Sequence, residues 1–393
     1  MTENDSTIIH IDDLAYGGDG VGRHKGKVVF IPGALPGENV KVRIDSDRKR
    51  FARGSCLSIE GRSAARCDAD CPLADSCVGC AYQTLQYDEE VTWKRKQLID
   101  LLTRVGKISS LPEISAIDSP SSLGYRNKIV LHADAEGRLG YKGRDNRTVL
   151  DIPDCPLAVA PIREEIATFR QKHIGSLQAG DRVTFRWTAT DGVTSWINNH
   201  APKKDLTEIV DGSHWRVSSD GFWQINHTAT PLLLRTVQDM LQVAEVPYLL
   251  DLYCGAGFFA LACAGRFENV LGIERDQGSV RAAKANALQK DIDAVTFIEG
   301  DAADMYAAAQ DCVSPDETVV LVDPPRKGLD PLLMNQLLDY APKYFLYVSC
   351  AADTLARDCK ELTETYKPLR VMLVDMFPRT AHFESLILFA RKE

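Results

Sequence analysis

The sequence predicts an α/β protein in three parts: a small N-terminal β-barrel, an α+β middle domain and a C-terminal Rossmann-like sheet. Three observations carry this. From about residue 231 helical patterns alternate with short apolar strands, which implies βαβ crossovers and a mostly parallel, doubly wound sheet. Residues 7–61 instead alternate apolar and polar positions in short runs between Gly and Pro clusters. Finally, 393 residues with 45% hydrophobic content suffice for two or three cores.

Taken in order, TIIHID, KVVFIP, NVKVRI and CLSIE are barrel strands, and YGGDGVGR and PGALPGE are their turns. The block 61–85 is dense in cysteine, and YDEEVTWKRKQLIDLLTRVG after it has apolar positions at helical spacing. Residues 111–220 hold the strand-like pieces NKIVLHAD, DRVTFRWTAT and TSWINN, whose order the sequence does not resolve. Beyond them come helices at 231–244, 257–265, 277–290 and 353–362, interleaved with YLLDLY, VLGIE, VTFIEG, VVLVDPP, YFLYVSC, LRVMLVDMF and SLILFA. The expected boundaries are 1–61, 62–220 and 221–393.

A formal charge of −9 argues against a uniformly basic nucleic-acid coat and leaves only local patches for that work. The clusters KVRIDSDRKRFAR (41–53), WKRK (93–96), YRNK (125–128) and RLGYKGRDNR (138–147) all precede residue 150, which points to a partner surface there. No apolar run reaches the roughly 18 residues of a membrane span, and the polar start has no signal-peptide pattern. A cytoplasmic protein without a membrane partner is expected. The 11 cysteines are then reduced thiols, metal ligands or catalytic groups rather than a disulfide framework.

Ligands of doubly wound sheets lie at the carboxyl ends of the strands, so the residues just after each strand matter most. DLYCGAGFFAL (251–261) is a strand, a glycine-rich turn and a helix start, where backbone can approach a ligand closely. Glu274 ends the next strand, where an acid suits two ribose hydroxyls, and Asp301 follows the third, where an acid suits an adenine amino group. Each acid alone could equally be a cap or turn residue. The turn lacks the third glycine of a pyrophosphate cradle, so acids at successive strand ends favour S-adenosylmethionine over a dinucleotide. Asp323-Pro324-Pro325 leaves the fourth strand and sets a rigid pocket wall. Arg326 stands where amino-group methyltransferases carry a base-stacking aromatic, which argues against methylation of an amino group.

Cys350 ends the fifth strand. Taken alone it is a buried structural thiol. Beside a methyl donor it suits another task, because carbon 5 of uracil becomes nucleophilic only once a thiolate adds at carbon 6, and a base must later remove the carbon-5 proton. Glu384, beside His382 in RTAHFES, is a candidate for that base.

At this point the chain resembles the RNA uridine-5-methyltransferases, which make 5-methyluridine in tRNA and 23S ribosomal RNA. The segment DDLAYGGDGVGRHKGKVVFIPGALPGENVKVRI is similar to their TRAM barrel, an RNA-binding module, and GFWQIN, DLYCGAG, VDPPRKGLD, YVSC and HFES resemble their catalytic motifs in order. The resemblance implies a class I S-adenosylmethionine-dependent methyltransferase sheet. It implies that Gln224, Tyr253, Glu274, Asp301 and Asp323 contact the donor, that Cys350 is the nucleophile and that Glu384 accepts the proton. RNA is the implied partner, ribosomal RNA ahead of tRNA, with a monomer expected and no protein partner implied. Two departures stand out: Ala351-Ala352 follows the nucleophile where the family has Asn-Pro, and Phe258 follows the glycine turn where many members have Asn.

Cys71, Cys77 and Cys80 form C-x5-C-x2-C, with Cys155 as a fourth thiol; spacing alone fits zinc or an iron–sulfur cluster. The resemblance implies a [4Fe-4S] cluster. Cys67 could replace Cys71, and Cys56, Cys254, Cys263, Cys312 and Cys359 are expected to be ordinary thiols. Two competing readings remain: a base or amino methyltransferase in which Cys350 is structural, and an RNA-binding or RNA-folding protein with an inactive pocket.

Overall fold

Strict alternation along the first strands turns one face inward, and in the computed structural model that face closes on itself. The structure describes residues 6–143, 145–173, 175–305 and 313–393; Cys312 and Arg144 of the fourth basic cluster lie outside them. β1 (Ser6–Leu14), β2 (Gly20–His24), β3 (Lys27–Ile31), β4 (Asn39–Asp47) and β5 (Phe51–Gly61) form a closed barrel in the order β1-β2-β3-β5-β4. Ile9, Ile11, Val29, Ile31, Val40 and Val42 fill it. Closure removes free sheet edges from a module too small to protect them otherwise.

The middle segment contributes to two bodies. β7 (Lys128–Ala133), β8 (Leu139–Lys142), β9 (Val149–Asp151), β10 (Arg182–Thr188) and β11 (Gly192–Ile197) make an antiparallel sheet in the order β11-β10-β7-β8-β9. This is the topology that the sequence left unresolved. A hairpin of β12 (Asp205–Val210) and β13 (Ser213–Ser218) follows it. α1 (Tyr87–Arg104) and β6 (Ile114–Ile117), by contrast, join the C-terminal sheet, where β6 pairs in parallel with β19 (Tyr366–Val374). α2 (Ala160–Lys172), which the sequence reading does not contain, covers the middle sheet through Ile162, Ile166 and Phe169.

The C-terminal sheet runs β16-β15-β14-β17-β18-β20-β19-β6. Its strands are β14 (Tyr248–Leu252), β15 (Asn269–Glu274), β16 (Val295–Glu299), β17 (Thr318–Val322), β18 (Tyr344–Ser349), β19 and β20 (Glu384–Arg391). α3 (Thr230–Leu241), α4 (Phe258–Cys263), α5 (Gln277–Gln289), α6 (Pro331–Tyr340) and α7 (Ala352–Thr365) accompany it. The first five strands are mutually parallel, and β17 is buried throughout, as a strand covered on both faces should be. The strand order reverses at β14, which sets the ligand crevice at the carboxyl ends of β14 and β17. β20 inserts antiparallel between β18 and β19, so its first residue lies at the same edge as the last residues of the parallel strands.

Two of the four basic clusters are corrected here. In WKRK, Lys94 is wholly buried and ion-paired while Arg95 and Lys96 stay exposed, and in YRNK, Tyr125 and Asn127 are buried and Arg126 and Lys128 half-buried. A lysine between two buried carboxylates stabilises the interior and offers nothing to a phosphate. No helix among the described residues is long and apolar enough to cross a membrane.

Candidate active site

The donor side is built around the turn after β14. Tyr253 is held at φ 64°, a left-handed conformation that costs a non-glycine residue energy and marks a constrained position. Gly257, at φ 79°, has no room for a side chain: a Cβ there would lie 2.6 Å from the Phe297 ring. Asn286 of α5 fastens the turn, donating from Nδ2 to Ala256 O at 3.0 Å while its Oδ1 accepts from Arg216 N–H at 2.7 Å.

Glu274, at the end of β15, accepts from Gly255 N–H at 3.1 Å and from Asp276 N–H at 2.7 Å. It is therefore tied directly to the glycine turn. Asp301 is more exposed; it accepts from Ala303 N–H at 3.1 Å, forms a reciprocal capping box with Asp304 and lies 4.0 Å from Arg275. The cap reading of this acid thus has a structural counterpart. Tyr253 stands nearby, its phenol pushed up to about 12 by burial and then by Asp301 and Asp330.

Asp251, in β14, is an acid that the sequence reading quoted but did not assign. It is fully buried; Oδ2 accepts from Ala260 N–H at 3.0 Å, and Oδ1 has no partner. Burial holds its carboxyl well above the usual range, and Asp323 and Glu274 push the same way. Asp323 itself is pushed up to about 7 by burial. The place of Asp251 inside an apolar strand, just before the glycine-rich turn, was its only available sign.

Phe258, the second departure from the family pattern, packs against Trp215 at 5.1 Å and Trp223 at 4.9 Å between ring centroids. It thereby fastens the GFWQIN segment to the glycine turn, and Gln224 is buried there. Arg186 holds the start of that segment, donating to Ser218 O, Ser219 O and Gly221 O at 2.9, 3.0 and 3.1 Å.

The acceptor side lies two strands along. Ser349 pairs with Ser385 across β18 and β20, which sets Cys350 and Glu384 at the adjoining ends of neighbouring strands. Burial pushes the Cys350 thiol up to about 12; Glu384 and Asp323 add to the rise and the Arg326 guanidinium opposes it. Glu384 is buried, its Oε2 lacks a partner, and its carboxyl is held well above the usual range by burial and by Asp323. His382 is pushed down to about 4 by burial, with Arg326, Arg126 and Lys94 next, so its imidazole is neutral.

The loop from β19 to β20 that carries this acid is braced by a buried charge network. Lys94 Nζ donates to Glu90 at 2.7 Å, Asp375 at 2.8 Å and Phe377 O at 3.3 Å. Tyr87 OH donates to the other oxygen of Asp375 at 3.0 Å, and Arg379 donates from its side chain to Leu85 O at 2.6 Å. Tyr125 OH and Asn226 Nδ2 bond Pro378 O and Met376 O at 2.9 and 3.1 Å.

The four predicted cluster cysteines are neighbours: Cys77 faces Cys155 and Cys71, and Cys80 faces Cys155 and Cys77. Cys67 instead points its thiol at Gln83 O, 3.8 Å away. Tyr141 OH and Gln83 Nε2 donate toward Cys155 at 3.9 Å and Cys80 at 3.5 Å. Among the described residues no three His, Cys, Asp or Glu side chains are close enough to hold one metal ion.

A tRNA (Uracil-5-)-methyltransferase family profile matches residues 204–392, and a TRAM domain profile matches residues 8–57. An RNA methyltransferase of Nitratidesulfovibrio vulgaris without an assigned target is 30% identical, over 98% of this chain and 96% of its own. The tRNA (uracil(54)-C(5))-methyltransferase of Schizosaccharomyces pombe is 31% identical, over 98% of this chain and 78% of its own. Among solved structures, the Pyrococcus abyssi tRNA (uracil-54, C5)-methyltransferase in complex with S-adenosyl-L-homocysteine superposes with a TM-score of 0.75, at 25% identity, covering 98% of this chain and 100% of that one.

Proposed function

The chain belongs to the tRNA (uracil-5-)-methyltransferase family and is an S-adenosylmethionine-dependent RNA methyltransferase; from that premise we propose that it methylates carbon 5 of a uridine by way of a covalent adduct on Cys350. The observation that carries this is the β18–β20 pairing, which brings Cys350 and an unpartnered buried carboxyl, Glu384, to the edge where the donor-side acids end.

In this reading Gln224, Tyr253, Glu274, Asp301 and Asp323 hold the donor, and Asp251 supports the turn beneath it. The acids complement a donor that carries a sulfonium and an ammonium charge. The Cys350 sulfur, as thiolate, bonds to carbon 6 of the uridine, and the carbon 5–carbon 6 π electrons form an enolate. Carbon 5 then attacks the sulfonium methyl, whose bond to sulfur breaks and releases S-adenosylhomocysteine. Glu384 takes the proton from carbon 5, the double bond reforms, and the thiolate leaves. The free protein holds a neutral thiol, so its proton passes to solvent as the substrate binds, with Arg326 the cation at hand for the thiolate, and Glu384 is likewise ionised before it accepts the carbon-5 proton. The uridine must leave its stack, because a thiol at a strand end cannot reach carbon 6 within one.

Ribosomal RNA is the target favoured by the sequence reading. The two relatives named for tRNA support tRNA as the second reading. The protein works as a monomer in the cytoplasm, with residues 1–61 as RNA-binding barrel, 62–220 as cluster and RNA region apart from α1 and β6, which join the catalytic sheet, and 221–393 as catalytic domain. Cys71, Cys77, Cys80 and Cys155 are the residues that would hold a [4Fe-4S] cluster; Cys77 lies near Cys71 and Cys155, and Cys80 near Cys77 and Cys155. Such a group would cross-link the cysteine segment to the middle sheet and takes no part in methyl transfer.

The test is methyl transfer from labelled S-adenosylmethionine to purified 23S ribosomal RNA and to tRNA, followed by nucleoside analysis. Labelled 5-methyluridine is expected. Label at another atom, or donor binding without transfer to either RNA, would refute the reading. A brown protein whose iron is lost with Cys77→Ser supports the cluster; colourless protein containing zinc contradicts it.

A further inference from the structure

The turn between β1 and β2 is where the barrel reaches the catalytic sheet. It closes through Ala15 N–H to Asp19 O and Gly18 N–H to Ala15 O, both at 2.9 Å. α1 grips it from outside: Gln97 Nε2 donates to Ala15 O at 3.0 Å and to Leu14 O at 3.4 Å, and Lys96 bonds both oxygens of Asp13 at 2.8 Å. Gly18 is packed so closely that a Cβ there would lie 2.5 Å from that of Ala81. A turn fixed on three sides presents its side chain in one place.

That side chain is Tyr16. Its ring meets Phe383 edge-on, with centroids 6.0 Å apart and planes at 84°. Phe383 is fully buried and directly precedes Glu384. On the other side the phenol lies against the start of α7, where the Ala352 N–H faces its oxygen and Asp353, Cys350 and Arg326 are its titratable neighbours. This helix start lacks a cap of its own: Ala351 occupies the N-cap and has no side chain that could accept. Proline at 352 would carry no N–H, whereas the alanine here has one to satisfy.

We propose that Tyr16 is a positioning residue of the methyl-transfer site: the barrel inserts one aromatic ring between the strand start that carries Glu384 and the helix start that follows Cys350. This role rests on the methyltransferase reading above. It makes barrel docking and alignment of the two reacting side chains a single event, so the barrel completes the site as well as binding RNA. Burial pushes the phenol up to about 12, so Tyr16 acts as a neutral group, by ring contact and through the Ala352 N–H that its oxygen faces.

The test uses the full chain with Tyr16→Ala and Tyr16→Phe, and reads kcat, the KM for RNA, donor affinity and the rate at which iodoacetamide alkylates Cys350. Tyr16→Ala should lower kcat by about 10²-fold, as expected for a small misplacement of reacting groups, with the KM for RNA and donor affinity unchanged. Tyr16→Phe keeps the ring and should lose only about fivefold, the worth of one hydrogen bond. Cys350 should alkylate faster in Tyr16→Ala. Unchanged kcat, or a raised KM for RNA at unchanged kcat, would overturn the role, the latter by making Tyr16 an RNA contact. Should the wild-type protein transfer no methyl group, the methyltransferase reading fails. The alkylation arm then decides the placement of Tyr16, and equal rates in wild type and Tyr16→Ala refute it. If Tyr16→Ala does not fold, Tyr16→Leu replaces it, and activity equal to that of Tyr16→Phe would contradict the need for the ring.

Discussion

The two halves of the site differ in how their carboxyls are satisfied. On the donor half, Glu274 has both oxygens bonded to backbone N–H groups and Asp301 caps a short turn, so these acids are held in place before any ligand arrives. On the acceptor half, Glu384 is buried with an oxygen unpaired, and Cys350 is a neutral thiol beside it. A buried unpaired carboxyl destabilises the resting protein, and the fold retains one next to the half-buried strand-end thiol of Cys350. In the proposed mechanism Glu274 and Asp301 are the preformed part of the donor half, above an Asp251 that keeps one oxygen unpaired, and the acceptor half is a reactive pair whose groups await their partner.

The sharpest way to break this contrast is Glu384→Gln. It keeps the shape and removes the base, so turnover should fall about 10²- to 10⁴-fold while donor affinity stays unchanged. Because the folded carboxyl is raised, its burial favours the folded state at low pH, and that contribution is lost as pH rises above the ordinary glutamate range. Denaturation as a function of pH should therefore show Glu384→Gln gaining stability over wild type toward neutral pH. A loss there would mean that the carboxyl has a partner.

Lys94→Met comes next. It leaves Glu90 and Asp375 buried without their cation, and chemical denaturation should register a loss of about 3–5 kcal/mol. Gly328→Ala strikes the loop after Asp323-Pro324-Pro325: at φ 78° its Cβ would lie 2.4 Å from Thr354 Cγ2 and 2.5 Å from Asp358 Oδ2. A destabilisation of about 1–3 kcal/mol is expected, measured as a shift in denaturation midpoint. Asp301→Asn is the mildest, since asparagine caps as well as aspartate. Stability should hold, and a weaker donor affinity by titration calorimetry would separate the ligand role of Asp301 from its cap role.

The same contrast governs what the sequence could reveal. The donor half is local: each acid follows a strand within one βαβ unit, so Glu274, Asp301 and Asp323 could be picked out by position, and Asp251 differs only in lying inside the strand. Cys350 could be found in the same way. Glu384 could be suspected but not placed, because its position depends on β20 inserting antiparallel between β18 and β19, a long-range choice of pairing. The brace behind it was misread. Lys94 sits in a run that reads as a basic surface, and only the packing of α1 against the sheet shows that it is interior. The middle sheet resisted for a similar reason, since β10 pairs with β7 across an intervening helix and two strands.

The central claim is that Cys350 adds to the target uridine, and RNA containing 5-fluorouridine tests it most directly. Fluorine at carbon 5 cannot leave as a proton, so with S-adenosylmethionine present the wild-type protein should form an RNA adduct that survives denaturation and maps to Cys350, and Cys350→Ala should form none. An adduct on Cys350→Ala, or methylation of unmodified RNA by that variant at the wild-type rate, would contradict the account.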